Sequence, residues 1–122
     1  MDVSRVEYKE DKENRVVVAK ISGIRDDAIN KINDNFVNTV TSKIYFCDNW
    51  DREHKYTMPY SLKAVARCMD GDEYSYEKGK QIALKKLTEK YNRSVDKRIF
   101  RFLKDMDLVL KNIDKYFEGR TF

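Results

Sequence analysis

Ile99-Phe100-Arg101-Phe102-Leu103-Lys104-Asp105-Met106-Asp107-Leu108-Val109-Leu110-Lys111-Asn112-Ile113-Asp114-Lys115-Tyr116-Phe117 is the stretch that decides how this chain is read. Its apolar residues form three triads, each seven residues after the last: Ile99, Phe102, Leu103; Met106, Val109, Leu110; Ile113, Tyr116, Phe117. On a helix these positions make one broad stripe, with Lys and Arg filling much of the opposite face. A two-stranded seam needs only the first and fourth positions of a heptad to be apolar. Here the fifth is apolar as well, and a stripe that wide suits packing in a globular core. The expectation is a buried helix, with pairing to a second copy as the alternative.

Upstream, Ser75 is a good N-cap and opens a helix from about residue 76 to 92, with Tyr76, Ile82, Ala83, Leu87 and Tyr91 inward. Asn92-Arg93-Ser94 reads as a break. Ser94 then caps the last helix, Asp96 sits in its first turn, and Gly119 is placed to end it. Before this helical half, Ser61 to Cys68 alternates as a strand. Leu62, Ala64, Ala66 and Cys68 share one face, small enough for a helix to lie close.

Arg15 to Ile21 is Val-rich and strand-like, and Val3, Val6 and Tyr8 hint at a strand before it. Ala28, Ile29, Ile32, Phe36, Val37 and Val40 recur at spacings of three and four, giving a helix from about 25 to 40. Lys43 to Asp48 reads as a further strand, Asn49 to Lys55 as a polar turn, and Tyr56 to Met58 as the start of a return strand. The predicted fold class is α+β. A small antiparallel sheet of three to five strands is packed on one face by helices, and two helices close the C-terminal half. Residues 1–122 read as a single domain.

Charged residues make up 38% of the chain against about 25% in an average domain, but 12% aromatics and regular apolar periods argue for a folded chain. The charge is uneven. Residues 1–74 carry 12 Lys/Arg against 14 Asp/Glu, whereas residues 75–122 carry 13 against 7. No apolar run is long enough to span a bilayer, and Met1 to Arg5 has no apolar leader core. Cys47 and Cys68 form no CxxC motif and read as reduced thiols, so the expected location is cytoplasmic.

Catalytic motifs are sparse. Asp51-x-Glu53-x-Lys55 is a faint match to the acidic-acidic-Lys sites of metal-dependent nucleases, but a solvated turn explains it as well. The single histidine, His54, excludes a two-histidine metal centre within one chain. Asp70-Gly71-Asp72-Glu73 is dense in carboxylates but lacks the alternate spacing of a calcium loop, and it reads as a turn before a helix. No cofactor or metal is expected, and the chain reads as non-enzymatic. Tyr45, Trp50, Tyr56 and Tyr60 could stack bases, though such residues also fill cores.

On the penultimate helix Lys78, Lys85 and Lys86 lie away from the apolar stripe, with Lys90 and Arg93 at its end, and Lys97, Arg98, Arg101, Lys104 and Lys111 do likewise on the last helix. This basic helical surface is the main functional candidate, chiefly Lys85, Lys86, Arg93, Lys97, Arg98, Arg101 and Lys104. It would meet an acidic protein surface, a nucleoprotein complex, or DNA or RNA directly. The order helix, three strands, helix over 25–91 resembles a double-stranded-RNA-binding domain. That family's basic start to its last helix is missing, however, because Glu77-Lys78-Gly79-Lys80-Gln81-Ile82-Ala83 stands in its place.

The segment Ala64-Val65-Ala66-Arg67-Cys68-Met69-Asp70-Gly71-Asp72-Glu73-Tyr74-Ser75-Tyr76-Glu77-Lys78-Gly79-Lys80-Gln81-Ile82-Ala83 resembles a pattern in small phage and mobile-element proteins of Gram-positive bacteria. In these a strand runs into an acidic-aromatic turn and then a Gly-containing helix. The resemblance covers about a sixth of the chain. It implies a phage accessory protein acting in the host cytoplasm, an inhibitor of a host defence nuclease complex in the manner of anti-CRISPR proteins. It carries over no functional residue. The expected assembly is a monomer or a homodimer, with no membrane partner.

Overall fold

The computed structural model describes residues 1–38 and 54–120. A short 3-10 turn at Val3–Arg5 leads into β1 (Val6–Asp11), β2 (Val16–Ser22), α1 (Asp27–Ile32), β3 (Ser61–Arg67) and α2 (Tyr76–Tyr116). The expected strand Lys43 to Asp48, with Tyr45, Cys47, Trp50, Asp51 and Glu53, lies outside the described residues.

The sheet is antiparallel in the order β1-β2-β3. In the β1–β2 turn, Asn14 donates to Asp11 from its backbone N–H (3.2 Å) and from Nδ2 (2.7 Å), and Arg15 takes a left-handed φ of 58°. These bonds fix Asp11 opposite Val16, and the rest of the register follows. It places Tyr8, Ala19 and Ala64 in one row across the sheet, and Val17 beside Ala66. Ala19 and Ile21 are buried on this face with Ala83, Leu87, Tyr91 and Val95 of α2, and Val17 is buried beside them. Ala64 and Ala66 of β3 are buried in the same core, and the helix comes close to β2, where a Cβ added at Gly79 would lie 2.6 Å from Val17 Cγ2.

α1 continues at Asn33–Val37 as a π turn, closed by Asn38 N–H donating to the Asn33 carbonyl at 2.8 Å. Beyond it lies a second apolar cluster of Ile32, Val37, Tyr56 and Phe102, with Ile29, Ile99 and Met106 half-buried around it. Phe102 stacks on Phe36 (centroids 6.1 Å) and meets Tyr56 edge-on (5.8 Å). Residues 56–58 form no strand. Instead Met58 N–H donates to the Arg25 carbonyl at 2.9 Å.

Two expectations are corrected. First, one helix of 41 residues replaces the expected two. Ser75 caps its start, with Oγ accepting from Lys78 N–H at 3.3 Å. Asn92-Arg93-Ser94 does not break it, because Asn and Ser cost only fractions of a kcal/mol in a helix, while burying Tyr91 and Val95 on either side contributes about 1.5–3 kcal/mol each. Arg98 reinforces the junction by donating to the Ser94 carbonyl (3.0 Å) and Oγ (2.7 Å).

Second, most of the terminal apolar stripe is not core. Phe102 is 5% exposed and Ile99 and Met106 are half-buried, but Leu103, Val109, Leu110, Ile113, Tyr116 and Phe117 are exposed. The cause is length. A seven-residue strand spans about 23 Å at ~3.3 Å per residue, whereas 41 helical residues run about 60 Å at ~1.5 Å each. The helix outruns the sheet and the second cluster, so its last turns have no described element beneath them.

Candidate functional site

Fusion of the two expected helices puts the basic residues in a single phase. Lys86, Lys90, Arg93, Lys97, Lys104, Lys111 and Lys115 recur at spacings of three, four and seven, so they share one side of α2. From Lys86 to Lys115 this line is about 44 Å long at ~1.5 Å per residue. Lys85 is expected beside Lys86, but a helical step of about 100° turns it away from the line.

The seven candidate residues divide by what their donors do. Lys85, Arg93, Lys97 and Lys104 are exposed and make no hydrogen bond or ion pair to the described residues. Lys86 Nζ donates to the Val65 carbonyl at 3.2 Å, and Lys90 Nζ to the Lys63 carbonyl at 3.2 Å. Both carbonyls lie on the side of β3 away from β2, and among the described residues β3 is an edge strand. Lysines over such an edge block pairing with another strand. Lys63, Lys86, Lys90 and Arg93 line a shallow groove there, with Glu89 between them.

Arg98 and Arg101 act within the fold. Arg98 Nε donates to the Thr57 carbonyl at 3.0 Å, and Arg101 Nη1 donates to the Lys55 carbonyl at 2.6 Å. Together they hold residues 55–57 against α2. Burial, with Arg101 close by, pulls the Arg98 guanidinium below its ordinary value, though an arginine remains charged. Neither arginine can be reversed in sign without disturbing this contact.

Sequence reasoning placed Lys90 and Lys111 on the basic faces of two separate helices and did not reach Lys63 or Lys115. The helical spacing that links Lys90, Lys111 and Lys115 was present, but the expected break at residues 92–94 reset the phase. Lys63 joins the site only through the pairing of β3 with α2. Glu89, Asp96, Asp107 and Asp114 run beside the basic line, and Lys111 pairs with Asp107 at 2.8 Å. Cationic surface is therefore densest from Lys86 to Lys104.

Some of the other described candidates make contacts within the fold. Lys55 Nζ lies 3.9 Å from Asp105. Tyr56 is buried and donates its hydroxyl to Asp105, whereas Tyr60 is exposed. In the acidic turn, Arg15 Nη2 donates to the Asp72 carbonyl and to Cys68 Sγ (3.0 Å), which pins the turn to the end of the sheet. Among the described residues no three His, Cys, Asp or Glu side chains gather as a metal site, and no helix is long and apolar enough to cross a membrane. No protein-family model matches the chain, and comparisons with curated proteins and with solved structures find no match.

Proposed function

We propose that this chain is a non-enzymatic binding protein whose working surface is the basic side of α2, and that it takes an extended polyanion, DNA or RNA. The observation that carries this reading is the straight line of cations about 44 Å long at ~1.5 Å per residue, joined at its start by Lys63 from β3. A rigid line of point charges follows a phosphate backbone without reading sequence.

The test is fluorescence anisotropy on labelled single- and double-stranded DNA and RNA over a salt series. Contact with about five phosphates of a duplex gives a log–log slope of about −4.5, a loss of several hundred-fold between about 50 and about 200 mM salt. Arg93→Glu, Lys97→Glu and Lys104→Glu together remove three exposed cations that hold no part of the fold. This variant should abolish binding while leaving the melting curve intact. Absent or salt-insensitive binding by the unaltered protein refutes the proposal.

A second reading has one observation in its favour. The acidic line beside the basic one repels phosphate but matches a protein surface of mixed charge. On this reading the protein is a phage-encoded inhibitor of a host defence nuclease complex, acting in the host cytoplasm. A pull-down at physiological salt should then recover a nuclease complex whose cleavage the added protein slows. Recovery of no such complex refutes it.

A further inference from the structure

We infer that the exposed apolar face of α2 beyond Phe102 is a self-association seam, closed by the same helix of a second copy. Leu103, Val109, Leu110, Ile113 and Tyr116 are 44–64% exposed and fall on one side of the helix. At ordinary side-chain areas they offer roughly 500 Å² per copy and about 1,000 Å² for two, the lower bound of a specific interface.

The stripe whose width suited a core has no described element beneath it past Met106, and its seven-residue repeat then selects the occupant. The triads repeat every seven residues without interruption. On a straight helix such a stripe drifts by about 20° per heptad, and supercoiling of two like helices takes up the drift. A partner with the same repeat sets its knobs into the holes between these residues. The chain itself supplies that partner in every other copy.

The borders of the face along the helix disfavour an anionic surface, and the one described cation on it, Arg120, closes its far end by stacking on Tyr116 (4.5 Å) and Phe117 (5.7 Å). Asp107 and Asp114 follow its one margin, and Asp105 and Asn112 the other. Helices that lie on membranes carry lysine on the polar face next to the lipid. Here the lysines stand on the far side of the helix, so pairing buries the apolar face and leaves the basic line open. Acids at the rim of a paired seam repel one another weakly through solvent, and salt screens them. Self-association should therefore hold or strengthen with salt, opposite in sign to polyanion binding, and it does not rest on that reading.

The experiment is sedimentation equilibrium of the full chain from about 1 μM to about 300 μM, the range in which an interface this small dissociates. The expected result is a monomer–dimer equilibrium, unweakened when salt rises from about 150 to about 500 mM. Leu110→Glu with Ile113→Glu should weaken it by at least about tenfold. Leu108→Glu, an exposed leucine on the polar side, should leave it unchanged. Melting of dilute protein should be the same in all three, since these side chains contribute little to the monomer core. A chain monomeric throughout the range overturns the inference, including one that instead binds phosphatidylglycerol vesicles. So does a double variant that still dimerises, an equal loss from Leu108→Glu, or association that continues past the dimer.

Discussion

Phe102→Ala and Leu110→Ala delete side chains eight residues apart on one apolar stripe, and the structure assigns them very different costs. Phe102 is 5% exposed and lies between Phe36 and Tyr56. Truncating a buried Phe costs about 3–5 kcal/mol, of which about 0.5–1.5 reflects each favourable ring pair. Leu110 is 61% exposed, and changes at such positions stay within about 0.5 kcal/mol. For a domain of this size 1 kcal/mol moves Tm by about 3–5 °C. Phe102→Ala should therefore lose roughly 9–25 °C at ~3–5 °C per kcal/mol, and Leu110→Ala less than about 3 °C. Thermal and urea unfolding by circular dichroism, run at about 1 μM to keep any dimer dissociated, reads both. A loss below about 1 kcal/mol for Phe102→Ala would refute the second core cluster. A loss above about 2 kcal/mol for Leu110→Ala would show that the stripe is covered within the monomer.

Gly79→Ala should destabilise despite alanine's advantage of about 1 kcal/mol in a helix, because overpacking against Val17 costs about 1–3 kcal/mol. Urea unfolding of the Val17→Ala, Gly79→Ala cycle should show a favourable coupling near 1 kcal/mol, since the smaller side chain makes room. Tyr91 donates its hydroxyl to Asp27 at 2.8 Å, and burial, with that bond, pushes its ionisation up to about 12. The unfolded chain loses this proton near pH 10, so the folded state binds more protons above that value and stability falls as pH rises from about 10 to about 12. Unfolding of Tyr91→Phe across this window should show a shallower fall than the parent, and an identical slope would contradict the assignment.

Much of the sheet and its partner helix was legible in the sequence. The alternation at Ser61 to Cys68, the Val-rich run to Ile21 and the small residues at Ala64 and Ala66 report local burial, and the structure uses each as read. Helix continuity was misread because Asn92 and Ser94 carry a local preference for ends, while Tyr91 and Val95 gain their burial only once the sheet is beneath them. The binding surface inherited that error. Arg98 and Arg101 read as free cations because nothing local announces that residues 55–57 present carbonyls to them.

The sequence by itself determined that the last third of the chain is an amphipathic helix with a broad apolar stripe and cations opposite it, since side-chain spacing alone sets which residues share a face. Only the tertiary structure decided how far that stripe is covered. Burial depends on what lies underneath, and strands of seven residues are too short to support a helix of 41. Periodicity records which face is apolar. The relative lengths of the packed elements leave the far end of that face exposed.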